Sequence, residues 1–144
     1  MLLSSHPSNQ SSARSPDPSS GAGRTGVDPH STRAKGASAE DDAAEYLEKN
    51  GYAILSRNFQ VHIGEIDCIA RDKDNTLVFV EVKSTYSTSF GHPFFWVDRG
   101  KQRTLARVAQ FYMTQNHIHD CSCRFDVIAI VNGKIEHLRN AFLV

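Results

Sequence analysis

Gly64-Glu65-Ile66-Asp67-Cys68-Ile69-Ala70-Arg71 and Leu77-Val78-Phe79-Val80-Glu81-Val82-Lys83 flank a polar turn, Asp72-Lys73-Asp74-Asn75. Strand-forming runs of this length around turn residues predict a β-hairpin over 64–71 and 76–83. The second run ends in Glu81-Val82-Lys83, and Asp67 stands fourteen residues before Glu81. A core strand has no need of two carboxylates and a lysine at its end. A divalent cation and a phosphodiester do.

Register decides whether these groups meet. Residues two apart share a face of a strand, so Glu65, Asp67 and Ile69 are expected together, as are Phe79, Glu81 and Lys83. Asp67 and Glu81 converge only if 67 pairs with 81, 69 with 79 and 71 with 77. That register also sets Ile69 against Phe79 in the apolar layer. Opposed Cβ atoms lie ~4.5–5.5 Å apart, and two anions ~5 Å apart repel by ~3 kcal/mol at an effective dielectric near 20. Lys83 offsets part of this repulsion. Mg²⁺ or Mn²⁺ is the natural partner of such an oxygen-rich cluster, and water activated beside a lysine suits hydrolysis at phosphorus.

Composition divides the chain. Residues 1–38 hold ten serines, four of the five prolines and four glycines. Such a stretch buries too little apolar surface to offset its ordering entropy and is predicted to be a disordered tail. Residues 39–144 are expected to form the folded domain. Formal net charge is zero, with twelve basic against fourteen acidic residues after Ser38. That balance argues against a histone-like coating of nucleic acid but leaves room for an enzyme with one basic stripe. No run approaches the ~20 apolar residues of a membrane span, and Met1-Leu2-Leu3 meets Ser4-Ser5-His6-Pro7 without an apolar signal region. Cys68, Cys121 and Cys123 make neither a disulfide framework nor a zinc pattern. A reduced, cytoplasmic protein is expected.

Ser38 is read as the cap of a first helix running to about Asn50 and stopped by Gly51. Its inward face is Ala43, Ala44 and Leu47, and Glu40 shares that face by helical spacing. A strand from Tyr52 towards Val61, the 64–83 hairpin and a loop over 84–97 follow. Asp98 caps a second helix, about 99–115, with Leu105, Val108, Ala109 and Tyr112 inward and Arg99, Arg103 and Arg107 outward. Arg124–Val131 and Lys134–Leu138 flank the hairpin turn Asn132-Gly133. The order α-β-β-β-α-β-β predicts an α/β sandwich with a mixed sheet.

Blander explanations compete at each position. Glu-x-Lys on a strand is usually a solvated pair worth under ~1 kcal/mol, and Glu40 alone complements a helix dipole. The arginine stripe is a solvated face about as readily as a phosphate-binding one. Asp126 is explained as a strand residue held by Arg124 or Lys134. His117, His119, Cys121 and Cys123 match no structural zinc spacing.

Glu40-Asp41-Asp42-Ala43-Ala44-Glu45-Tyr46-Leu47, Gly51-Tyr52-Ala53-Ile54-Leu55, Arg57-Asn58-Phe59, Gly64-Glu65-Ile66-Asp67, Val80-Glu81-Val82-Lys83 and Arg124-Phe125-Asp126-Val127-Ile128, in this order, resemble the YraN family of small bacterial endonuclease-like proteins. The resemblance covers 39–144. That family is similar to archaeal Holliday-junction resolvases and to restriction endonucleases of the PD-(D/E)xK superfamily. It implies a restriction-endonuclease-like three-layer α/β/α sandwich and a Mg²⁺- or Mn²⁺-dependent nuclease acting on DNA rather than RNA, on branched or single-stranded forms. By the same resemblance Asp67, Glu81, the Val82 carbonyl and Glu40 form the metal site, and Lys83 is the catalytic lysine. Gln102 takes the place of a polar site residue in the following helix, and a homodimer is implied by the resolvase branch. Ala39 stands where glycine is common, and Phe94-Phe95-Trp96 replaces a smaller, polar stretch. These aromatics are expected to pack under the second helix rather than stack on an unpaired base. A non-catalytic nucleic-acid or protein-binding module on the same fold is the competing class.

Overall fold

Alternating and continuous apolar runs set the layers. The computed structural model describes residues 32–144, with side chains from Ser38 onward. Helix α1 (Thr32–Lys49) is followed by strands β1 (Ala53–Val61), β2 (Gly64–Arg71) and β3 (Leu77–Thr85), and a short 3-10 turn spans Pro93–Trp96. Helix α2 (Arg99–Gln115) and strands β4 (Cys123–Val131) and β5 (Lys134–Phe142) complete the chain. The five strands lie in the order β1-β2-β3-β4-β5. All neighbours are antiparallel except β3 and β4, which run parallel. A parallel pair needs a long crossover, and α2 supplies it.

The sheet is covered on both sides, which makes the expected three-layer α/β/α sandwich with a mixed sheet. On one face Ala39, Ala43 and Leu47 of α1 pack with Cys68, Val78, Val80, Ile128 and Ile130. On the other, Leu105, Val108, Ala109 and Tyr112 of α2 pack with Ile66, Ile69, Phe79, Phe125 and Val127. The helical faces read from spacing are therefore the buried ones. Gly51, at φ +85°, ends α1 in the left-handed conformation, and the Tyr52 N–H closes on the Leu47 carbonyl at 3.0 Å. Asp98 caps α2, its Oδ1 accepting from the Lys101 N–H at 2.8 Å.

Two expectations about the start of the fold need adjustment. The predicted disordered tail lies, for residues 1–31, outside the described residues. Helix α1 begins at Thr32, so Ser38 is a helical residue and not the cap. Ala34, Lys35 and Ala37 favour helix and no proline intervenes, so nothing stops the helix at Ser38. No helix among the described residues is long and apolar enough to cross a membrane.

Asp126 is fastened as its bland explanation required, but by more groups. It is buried on the α1 side of β4 and accepts from Arg124 Nε at 3.0 Å, His137 Nε2 at 2.8 Å and the Asn140 N–H at 2.9 Å. Arg124 also reaches Asp72 and the Tyr52 hydroxyl, while Tyr46 meets His137 Nδ1 at 3.3 Å. Burial alone would raise the Asp126 pKa. His137, the Asn140 N–H and Arg124 together outweigh burial and hold it below the ordinary range. Removing one partner of a buried charge network costs ~3–5 kcal/mol. Asp126→Ala is accordingly expected to lower the urea midpoint by that equivalent, and an unchanged midpoint would refute the fastening role.

Candidate active site on β3

The β2–β3 ladder follows the register read from the sequence, with Ile69 opposite Phe79 and Arg71 opposite Leu77. It stops at Cys68 and Val80. One step further, where Asp67 and Glu81 would face each other, the Asp67 Oδ2 accepts the Val82 N–H at 2.8 Å. A side chain has taken over where the backbone ladder ends. Strict alternation fails at the same point: Ile66 lies in the α2-side core and Cys68 in the α1-side core, although they are two apart. The expected grouping of Glu65, Asp67 and Ile69 on one face is therefore corrected. Between Phe59↔Ile66 and Arg57↔Cys68, Asn58 adopts a left-handed φ of 53°. Asn58 thus stands opposite Asp67, the two irregular positions facing each other across the β1–β2 pair.

Glu81 is 4% exposed. Its Oε1 meets Lys83 Nζ at 2.9 Å and Lys101 Nζ at 3.4 Å. Its Oε2 is buried without a hydrogen-bond partner. An unsatisfied buried carboxylate oxygen costs on the order of 1–3 kcal/mol or more, and such an atom calls for a missing partner. Burial, then the charge of Glu81, push the Asp67 pKa up to about 7; the Val82 N–H opposes them, and Glu40 and Glu65 add to the rise. Burial also raises Glu40, followed by the field of Glu65, against an Asn58 hydrogen bond and Arg57. Glu40, Glu65, Asp67 and Glu81 thus lie in one electrostatic neighbourhood.

An excess of carboxylate, one orphaned oxygen and hard oxygen donors fit Mg²⁺ or Mn²⁺. Among the described residues, no three His, Cys, Asp or Glu side chains are already gathered as a ligand set. Glu81 is instead paired with its two lysines.

Lys101 is the residue that sequence reasoning missed. It lies four positions before Leu105 and seven before Val108, so the spacing that placed Glu40 would have placed it inward as well. Arg99, Arg103 and Arg107 sit ~160–240° round α2 from Lys101. They line a groove of about 620 Å³ with Gln102, Ala106, Leu143 and Val144. The Gln102 amide donates to the Val97 carbonyl at 3.0 Å. The structure brings Lys101 onto Glu81 and leaves the arginines on the outer flank of the helix. α2 can approach because residue 64 is glycine: a Cβ there would fall 2.7 Å from Thr104 Cγ2. Of Phe94-Phe95-Trp96, expected to pack under α2, only Phe94 joins the core; Phe95 is exposed and Trp96 half-exposed.

Residues 39–130 match the model of the uncharacterised protein family UPF0102. The chain belongs to this family. UPF0102 proteins of Persephonella marina and Caldicellulosiruptor saccharolyticus are 48% and 44% identical to it, over 75% and 76% of this chain and 92% and 98% of theirs. The Trichlorobacter lovleyi UPF0102 protein is 41% identical over 76% of this chain and 91% of its own. The UPF0102 match takes in Glu40, Asp67, Glu81, Lys83 and Lys101. A solved EndoMS–dsDNA2 complex overlaps 60% of this chain and 34% of its own, with a TM-score of 0.38 and 17% identity. A likeness that slight carries no argument.

The elevated Asp67 pKa has a signed consequence. Its folded value, about 7, exceeds the ordinary 3.8, so the folded state holds the extra proton between about pH 4 and 7. Stability therefore falls as pH rises through that window and levels off above it. Asp67→Asn keeps an acceptor for the Val82 N–H and is expected to remove the fall, gaining on the order of 4 kcal/mol at pH 8. Urea unfolding at pH 5 and pH 8 measures it; an unaltered pH slope in the variant contradicts the assignment.

Proposed function

We propose that this UPF0102 protein is a metal-dependent nuclease that hydrolyses phosphodiester bonds in DNA, with branched or single-stranded forms as substrates. The observation that carries the proposal is Glu81: a buried carboxylate with one oxygen unpartnered and the other shared by two lysines, beside an Asp67 that retains its proton near neutrality. The resemblance to PD-(D/E)xK enzymes supports it from the sequence side.

Asp67, Glu81 and the Val82 carbonyl, with Glu40 directly or through water, would hold Mg²⁺ or Mn²⁺. When bound, such an ion supplies positive charge to the phosphate and lowers the pKa of water. The chain's own contribution is positioning. Lys83, paired with Glu81, would orient the attacking water and stabilise charge on the phosphoryl oxygens. Lys101 approaches the same carboxylate from the first turn of α2, and so offers a second cation to the phosphate. Asp67 is fixed by the Val82 N–H rather than by a flexible partner, which keeps the two carboxylates in register.

One observation favours a non-catalytic module on the same fold: no three-ligand set is preassembled among the described residues. Incubation with Mn²⁺ or Mg²⁺ and branched, flap or single-stranded DNA separates the two. Cleavage by the wild type is expected, with a loss of roughly 10²-fold or more in Asp67→Ala and Lys83→Ala. Cleavage that survives both substitutions, or no cleavage of any substrate, rejects the enzyme.

A further inference from the structure

Glu81 and Lys83 on β3 and Lys101 on α2 are joined by a segment, Ser84–Val97, that contains no Asp, Glu, Lys or Arg. It carries four of the five exposed aromatic side chains, Tyr86, Phe90, Phe95 and Trp96; Phe111 is the fifth. Phe90 and Phe95 are 89% and 82% exposed. Exposed aromatics scattered singly need no explanation, but a cluster beside a candidate site does.

The segment is braced from behind. Phe94 turns into the core, with the His92 ring against it at a centroid distance of 4.3 Å. His92 Nδ1 accepts the Phe94 N–H at 3.2 Å, and its Nε2 meets Glu136 of β5. On the outer side Trp96 Nε1 donates to the Phe90 carbonyl at 3.4 Å, tying the two exposed stretches together. An apolar surface held in place while its rings face solvent is prepared for a flat apolar ligand.

The charge around it selects the ligand. The uncharged segment is bounded by Lys83 and Lys101, which meet on Glu81, while the arginines of α2 lie round the helix from Lys101. Aromatic rings set among cations are the combination that holds unpaired bases and their phosphates. Bases within a duplex have their faces already stacked, so such a platform favours strands whose bases are free. A second copy of the chain would bring the same cations towards each other.

We propose that Phe90, Phe95 and Trp96 form a base-stacking platform that selects single-stranded DNA for the carboxylate–lysine site. The proposal rests on the nuclease reading for the nature of the ligand, and its test is independent of turnover. Trp96 is the only tryptophan in the chain, so its emission reports stacking directly. With metal removed by EDTA, a thymidine oligonucleotide of about 16 nucleotides is expected to quench Trp96, and a blunt duplex of equal length is not. Phe90→Ala and Phe95→Ala, both at exposed positions, should keep the wild-type melting temperature and each weaken the oligonucleotide by about tenfold. Equal affinity for duplex and single strand, unquenched Trp96, or variants that bind as wild type would overturn the platform. Loss of self-association in the variants with oligonucleotide binding intact would overturn it in favour of a second copy. Metal-free quenching that depends on both phenylalanines, from a protein that cuts no DNA, would keep the platform and reject the nuclease. Metal-dependent cutting that is indifferent to both would do the reverse.

Discussion

A carboxylate inside a protein must be neutralised, hydrogen-bonded or protonated, and this chain solves that problem in two ways. Asp126 is satisfied on every side: a guanidinium, an imidazole and a backbone N–H compensate its burial and keep it ionised. Where the β2–β3 ladder ends, midway along β3, compensation is left incomplete. Asp67 has the Val82 N–H and is driven towards its protonated form, while Glu81 keeps an oxygen with no partner. Both acids belong to the same sheet, so the difference is not one of available material. Unfinished compensation within an otherwise satisfied structure is where function is expected.

The fold makes that incompleteness tolerable. β3 and β4 are covered on both faces, and Glu81 is buried among them where the β2–β3 ladder stops. α1 brings Glu40 to one side of this point and α2 brings Lys101 to the other. Gly64 lets α2 close on the start of β2. The Asp126 network lies on the α1 face and ties the β2–β3 turn to β4 and β5 through Asp72 and Arg124.

Much of this geometry was legible in the sequence because it is periodic. The Ile69–Phe79 register, the buried faces of both helices, the Asp98 cap and the Asn132-Gly133 turn all follow from local spacing and turn chemistry. What escaped was not periodic. Asn58 and Asp67 break the pleat in concert, and alternation cannot announce its own failure. The start of α1 at Thr32 escaped for the opposite reason, since no local signal ends the helix at Ser38. Lys101 was within reach of the helical rule, but the longer Arg99, Arg103 and Arg107 stripe drew attention to the outer face. The exposure of Phe95 and Trp96 depends on the 3-10 turn over Pro93–Trp96, which sends Pro93 and Phe94 inward and leaves Phe95 and Trp96 out.

A net charge of zero argues against a histone-like coating of nucleic acid, but only charge averaged over the chain enters that argument. Exposed charges interact over about a Debye length, ~8–10 Å at ordinary ionic strength, so the local distribution governs what a polyanion meets. Five of the fourteen acidic residues after Ser38 lie on α1, where Asp41 engages Arg57 of β1, and Glu65, Asp67 and Glu81 complete the carboxylate neighbourhood. Between Val82 and Ile118 the balance is five cations to one acid. A phosphodiester approaching by that route meets Lys83 and Lys101 before it meets Glu81, and both lysines are only partly exposed. They neutralise Glu81 in the protein as it stands, and they are the groups from which a phosphate could draw charge on arrival. The same two contacts that stabilise the buried acid therefore hold the cations that a phosphate needs.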